Sequence, residues 1–338
     1  MKKEYISENA NHFKANLHCH STWSDGKLTP AELKEIYMKE GYSIVAYSDH
    51  NLLLDHSELS DENFLAMIAT EYDVKRDGPE DTHVRPCFHI NFYPKKSYQD
   101  ATPCYTPARI RKEFEGMQKH IGDEEYVRSY ENIQDMIDRF VKAGFLAQIN
   151  HPVWSVQNIN DYLPLNNFFA VELYNHGCFA TDGFDEYNTR IWDDLLSSGK
   201  KVFGVATDDN HNKHEMTSPK WDSFGGFTVI QAEELTQESV TAALEAGKFY
   251  ASTGPLIYSM VLEDNILKVK TSPVAKMLVT TGIRNGKIIY PADGEQTMTY
   301  GELDIKSFQP GTYVRLTIID EKGNRAWSQP IYDYKEEL

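Results

Sequence analysis

Seven short apolar runs in the first two thirds of the chain each end at, or hold, a histidine or a carboxylate. Ala15–Leu17 leads into His18 and His20, Ser43–Tyr47 into Asp49 and His50, and Phe64–Ala69 into Glu71. Cys87–Phe92 holds His89, Phe145–Ile149 ends at His151, Phe168–Leu173 holds Glu172, and Val202–Ala206 ends at Asp208, Asp209 and His211. Helix signals lie between several of these runs. Thr29-Pro30-Ala31-Glu32 is a capping-box start with proline in the first turn, and Gly41 is a fitting stop, which predicts a helix from about Pro30 to Glu40. Tyr130–Ala143 and Phe184–Ser198 also read as helices, followed by Gly144 and Gly199. Strands alternating with helices argue for a parallel α/β sheet. Seven strand ends carrying polar residues argue for its closure into a barrel, with chemistry at the C-terminal strand ends.

The texture changes after Gly225. Phe227–Ile230 reads as a strand and Thr236–Ala246 as a helix; from Leu256 onward, short alternating segments such as Leu267–Thr271, Lys276–Thr280 and Tyr313–Ile319 are separated by turn residues. The expected organisation is a barrel over 1–255, with 93–130 as a loop insertion near the site, and a small antiparallel β-sandwich over 256–338. Two domains also suit 338 residues.

Lys+Arg 34 against Asp+Glu 51 gives a net charge of -17, which repels nucleic-acid backbones and requires bound cations for any phosphate chemistry. The four cysteines, Cys19, Cys87, Cys104 and Cys178, form no C-x-x-C pair, and no run of about 18 apolar residues occurs. The chain is therefore expected to be cytoplasmic, with no membrane partner and no nucleic acid; its oligomeric state is not legible.

In a strand, His18 and His20 project to one side and Cys19 to the other. With Asp25, His50, Glu71, His89, His151, Asp209 and His211 they make six histidines and three carboxylates. Such mixed ligands suit zinc, iron or manganese, and their number suits two or three divalent ions sharing a carboxylate.

The motifs His18-x-His20, Ser24-Asp25-Gly26, Ser48-Asp49-His50-Asn51, Ala69-Thr70-Glu71-Tyr72, His89, Asn150-His151-Pro152 and Asp209-x-His211 resemble the polymerase and histidinol phosphatase (PHP) superfamily, in that family's order. The resemblance implies a distorted seven-stranded (β/α)7 barrel with a two- or three-metal centre. It implies that His18, His20, Glu71 and Asp209 hold a first metal, that Glu71 bridges to a second held by His89 and His151, and that Asp25, His50 and His211 hold a third. Asp25 stands where many relatives carry histidine. The Ala206–His211 motif, Phe249–Pro255 and Ala326–Ile331 look most like the carbaryl-hydrolase-like branch, whose tail is a β-sandwich.

The foremost functional expectation is a multinuclear metal-dependent hydrolase using metal-bound hydroxide on small-molecule phosphomonoesters or phosphodiesters. The alternatives are a carbamate, amide or ester metallohydrolase and a non-catalytic metal-stabilised binding module. His18, His20, Glu71 and Asp209 are the catalytic candidates at the metals, and His176 is a candidate acid or orienting group. Asp208 is a candidate partner of a ligand histidine, Arg109, Arg111, Arg190 and Lys213 are candidate phosphate contacts, and Trp154 and Trp221 candidate substrate walls. His12, His56, His83, His120 and His214 read as structural or exposed.

Overall fold

The computed structural model describes residues 2–75, 86–114, 116–122 and 124–335; His83 lies outside them. The Pro30–Lys39 helix starts where its sequence says it must. Thr29 Oγ1 accepts from the Glu32 amide, and the Glu32 carboxylate accepts from the Thr29 amide, a cap contributing about 1 kcal/mol. Ile133–Lys142 buries Ile133, Met136, Ile137 and Phe140, one stripe at helical spacing, after a 3-10 turn at Tyr130–Asn132. The helix expected from Phe184 begins only at Thr189. The preceding residues are tied to a strand end instead, with the Asn188 amide donating to the Leu173 carbonyl and Tyr187 bridging Tyr174.

Three strands, His12–Cys19, Ile44–Tyr47 and Leu65–Ile68, pair in parallel. A second sheet holds Thr70–Lys75, Cys87–Pro94, Phe145–Ile149, Ala170–Asn175 and Phe203–Thr207, of which the last three are parallel. Cys87–Pro94 runs antiparallel to both its neighbours. It follows Thr70–Lys75 after fewer residues than the dozen or so that a parallel crossover needs. The two sheets meet at the ligand-bearing end. The Asp209 amide donates to the His18 carbonyl at 2.9 Å and the His20 amide to the Asn210 carbonyl at 3.1 Å, while the Asn51 amide reaches the Glu71 carbonyl at 2.7 Å. Beneath this end Ala15, Leu17, Ile44, Ala46, Met67, Tyr93, Leu146, Ala170 and Val205 share one apolar core.

Sheet pairing does not stop at residue 255. His12–Cys19 pairs with Phe227–Gln231, and the same sheet continues antiparallel through Phe249–Ser252, Arg325–Ser328, Val314–Ile319, Lys276–Thr281 and Gly286–Ile289. A further antiparallel sheet contains Ile257–Glu263, Ile266–Val274, Met298–Asp304 and the N-terminal strand Lys2–Ile6. Met260, Leu262, Leu267 and Val269 of that sheet share a core with Met277, Val279, Leu316 and Ile318 of the long one. Two polar ties fasten this region to the first: Arg315 makes a two-oxygen pair with Asp193 at 2.8 and 3.0 Å, and the Gln329 amide pairs with Gly204. The observed architecture is mixed α/β, with large sheets and few helices. Among the described residues, no helix is long and apolar enough to cross a membrane.

Candidate metal centre

Each strand delivers its polar residue to the same end of the molecule. Between Asn16 and Cys19 the pairing register slips; Ala15 and Leu17 face the inner core, whereas Cys19 packs in a different cluster. Such irregularities re-aim side chains, and here the result is two fully buried imidazoles at the same place. His89 reaches that place from near the start of its strand, because that strand runs against its neighbours.

All nine residues expected as ligands come together. Their nitrogen and oxygen atoms form four overlapping groups: His18, His20 and Asp209; His18, Glu71 and His151; His50, Glu71 and His89; and His20, Asp25, His50 and His211. Glu71, 1% exposed, stands between them. Its Oε1 lies 3.2 Å from His18 Nε2, 3.1 Å from His89 Nδ1 and 3.5 Å from His151 Nε2. Its Oε2 lies 2.9 Å from His50 Nδ1 and 3.4 Å from His20 Nε2. Asp209 Oδ1 is 3.2 Å from His18 Nε2 and 3.1 Å from His20 Nε2. Asp25 Oδ1 is 3.2 Å from His211 Nε2.

The donor set fits divalent cations by a direct test. Asp25 Oδ1, His50 Nδ1, Glu71 Oε2 and His89 Nε2 are buried with no hydrogen-bond partner, since near approaches such as His50 to Glu71 lack hydrogen-bond alignment. Buried polar atoms are ordinarily paired. Four such atoms on residues of one cluster suit a divalent cation.

A second ring of residues fixes the ligands. Glu172 Oε1 accepts from His18 Nδ1 at 2.8 Å and from Thr207 Oγ1 at 2.7 Å, and Oε2 accepts from the His151 amide at 2.7 Å and Asn175 Nδ2 at 2.9 Å. Asn150 Nδ2 donates to Glu71 Oε1 at 2.8 Å, and Asn175 Nδ2 to Asp209 Oδ2 at 3.1 Å. Asp49 is not a ligand; it accepts from the amides and hydroxyls of both Ser21 and Ser24, shaping the turn that carries Asp25. That turn is tight enough that a Cβ on Gly26 would sit 2.4 Å from the His20 carbonyl oxygen. His151 and Asp209 hold left-handed backbone angles, φ 24° and 51°, a strain of order 1–3 kcal/mol each that surrounding structure must offset.

Protonation follows the crowding. Burial, together with His211 and His50, pushes His20 down to about 4, so it stays neutral with a lone pair free. His211 is pushed the other way, up to about 9: burial opposes this, but the Asp25 carboxylate 3.2 Å away and the charge of Asp209 outweigh it. Burial would raise Asp209, yet His18 and His20 hold its carboxyl far below the usual carboxylate range.

A cavity of about 390 Å³ opens over the cluster, lined by Asp25, His50, Glu71, His89, His151, Asp209 and His211 and by Trp154, Gly177, Cys178, Thr181, Asp182, Lys213, His214 and Asp222. Of the four basic candidates only Lys213 reaches it. Its Nζ lies 3.0 Å from Asp25 Oδ2, whereas Arg109 pairs with Asp73, Arg190 with Asp194, and Arg111 is exposed. Trp154 lines the cavity and Trp221 does not. His176 is not among the lining residues; its Nδ1 meets the Tyr174 hydroxyl at 2.9 Å and its ring packs on Gly225. Asp208 accepts from the Tyr37 hydroxyl and the amides of Phe224, Gly225 and Gly226, holding a loop rather than a ligand imidazole, and burial raises its carboxyl pKa. His214, read as structural or exposed, lines the cavity, while His12, His56 and His120 pack elsewhere. No described residue of 93–130 lines it; Arg128 from that segment instead holds Asn51, beside His50, and stacks on Tyr72.

No family model matches the chain. It is 33% identical over 86 residues, 20% of this chain and 15% of that protein, to the DNA polymerase/3'-5' exonuclease PolX of Bacillus subtilis. The match thus takes in well under two thirds of that relative's length. Among solved structures, a two-domain protein containing a predicted PHP-like metal-dependent phosphoesterase from Bacteroides vulgatus aligns over 96% of both chains, at 12% identity and TM-score 0.41. A protein assigned as a metal-dependent phosphoesterase from Bifidobacterium adolescentis aligns over 60% of this chain and 90% of its own, at 16% identity and TM-score 0.36. An amidohydrolase from Chromobacterium violaceum, with bound sulfate and no metal, aligns over 58% and 87%, at 14% identity and TM-score 0.36. The chain is similar to PHP-like metal-dependent phosphoesterases.

Proposed function

We propose that the chain is a metal-dependent hydrolase of small-molecule phosphomonoesters or phosphodiesters, with two or three divalent ions held by the nine clustered residues. The observation that carries this reading is Glu71, whose two oxygens face different imidazoles and so suit a shared ligand between ions. His18, His20 and Asp209 would hold one ion with Glu71, His89 and His151 a second, and Asp25, His50 and His211 a third, with zinc, iron and manganese all compatible. Bound there, divalent ions supply an activated water and offset charge developing on a phosphoester.

The chain's own residues supply the rest. Glu172 holds the His18 ring through Nδ1, leaving Nε2 directed at the cluster. Asn150 and Asn175 fix the carboxylates, and Lys213 is placed to meet an anionic oxygen. The contacts of His176 offer no support for an acid role.

We read the two sheets and their joining hydrogen bonds as the distorted seven-stranded barrel of 1–255, and the later sheets as a sandwich over 256–338 that also recruits residues 2–6. We assign the chain to the carbaryl-hydrolase-like branch on its Ala206–His211, Phe249–Pro255 and Ala326–Ile331 motifs. Four free, buried cysteines support a cytoplasmic setting.

The test is the metal content of the purified chain, followed by turnover of aryl phosphate, bis-aryl phosphate and aryl carbamate, with His20→Ala as control. Two or more ions and His20-dependent phosphoester turnover support the reading. Carbamate turnover alone would move the activity to that bond, and no turnover with metals supplied would leave a binding module.

A further inference from the structure

The cavity has two unlike ends. At one, Lys213 adjoins Asp25 in the group that contains His50 and His211. At the other, Trp154 stands nearly perpendicular to the rings of His89 and His151, with centroids 5.3 and 4.9 Å away. Its indole Nε1 donates to Asp182 Oδ2 at 2.7 Å, and its backbone amide donates to Glu186. The residue is therefore held at its backbone and at the indole Nε1.

Asp182 is the last residue of a π-helical turn, Cys178–Asp182, closed by Gly183 at φ 77°. Turns of this kind recur at functional sites. Here the turn contributes Cys178, Thr181 and Asp182 to the cavity wall. Asp182 takes hydrogen bonds from Trp154 and from Thr181 Oγ1, at 2.9 Å, and among the described residues it pairs with no lysine or arginine. An exposed carboxylate with no described lysine or arginine partner, beside an indole it holds by a hydrogen bond and lining the same cavity, suits an organic cation. The indole face attracts an ammonium electrostatically, and the carboxylate adds to it.

We propose that the Trp154–Asp182 end recognises an ammonium group on the substrate's alcohol, so that the substrates are phosphoesters of amino alcohols, with the phosphoryl group at the ligand cluster and Lys213. The substrate class rests on the phosphoesterase reading; the ammonium site does not. Lys213 and Asp182 then divide the work by sign, the first meeting the anionic end of the substrate and the second its cationic end. An uncharged alcohol of the same shape would keep the packing against Trp154 and lose both attractions.

Binding is tested first in the full-length, metal-free protein by titration with choline and with its uncharged isostere 3,3-dimethylbutan-1-ol, followed by NMR. Choline is expected to bind at least about tenfold more tightly, with Asp182→Asn and Trp154→Leu each abolishing most of the preference. Trp154→Phe keeps an aromatic face and is expected to retain part of it, which separates recognition from misfolding. Equal binding of the two alcohols, or an undiminished preference in Asp182→Asn, overturns the proposal. The metal-loaded protein is then given phosphocholine and 3,3-dimethylbutyl phosphate, with an expected advantage in kcat/KM of at least about tenfold for the first. Faster turnover of the uncharged ester overturns the assigned substrate class. Failure to hydrolyse any phosphoester, with choline discrimination intact, overturns the phosphoesterase reading and leaves the ammonium site standing.

Discussion

The side chain of Gln329 pairs with both backbone groups of Gly204: Oε1 accepts from the Gly204 amide at 2.9 Å, and Nε2 donates to its carbonyl at 2.8 Å. One amide thereby does what a neighbouring strand would do for the edge of Phe203–Thr207, the strand that leads into Asp209 and His211. Gln329→Ala should strand two buried backbone groups and cost about 1–3 kcal/mol of stability. Chemical denaturation checks this; an unchanged midpoint would mean that water replaces the amide without loss.

Metal should stabilise the fold itself. The nine clustered residues come from well-separated segments, so an ion held by them binds the native chain and not the unfolded one. At a hundredfold excess over its dissociation constant, one ion adds about 2.7 kcal/mol. Thermal melts with and without manganese or zinc should differ by several degrees, and a chelator should reverse the shift. No shift with either ion would contradict the assigned centre.

Glu172 touches no expected substrate, yet its five donors include His18, the His151 amide and Gln148 Nε2. Glu172→Gln keeps the shape but loses the charge and one of the two acceptor oxygens, so a donor at either His18 Nδ1 or the His151 amide meets an NH2 instead. Metal affinity should fall about 10–100-fold, read by calorimetry on the purified variant. Native-like affinity would show that the strand alone holds the imidazole.

Gly26→Ala offers a selective lesion. Its Cβ would press on the His20 carbonyl, so the turn carrying Asp25 must shift. The expected outcome is loss of the ion held by Asp25, His50 and His211, with the ions at Glu71 retained, measured as metal stoichiometry by plasma emission. Loss of all metal, or of none, would refute this division.

Sequence reasoning reached all nine clustered residues because most sit where an apolar run meets polar sequence, a local signal, while His89 lies inside such a run and Asp25 stands in the Ser24-Asp25-Gly26 motif. It named Glu172 in such a run but not its task, since the partners His18, His151, Asn175 and Thr207 are spread along the chain. Its signal was a carboxylate between Val171 and Leu173, which burial would penalise unless several donors met it. The reversed direction of Cys87–Pro94 was also missed, because an apolar run carries no sign of direction. Asp182 and His214 left no mark in the sequence: what brings them to the cavity is the π-turn in one case and the 211–214 segment in the other. The pairing of Lys2–Ile6 with Ile257–Glu263 is likewise a property of tertiary contact alone.

That last pairing bears on how the molecule is made. All nine clustered residues have been synthesised once His211 is in place, but the strand carrying His18, which pairs on one side with Ile44–Tyr47, gains its second neighbour only with Phe227–Gln231, and Lys2–Ile6 waits for Ile257–Glu263. Pairings of such high sequence separation form slowly and leave open strand edges meanwhile. A nascent chain on the ribosome thus carries the complete set of histidines and carboxylates before it can hold them in place, and its yield in cells should depend on protection of those edges during translation.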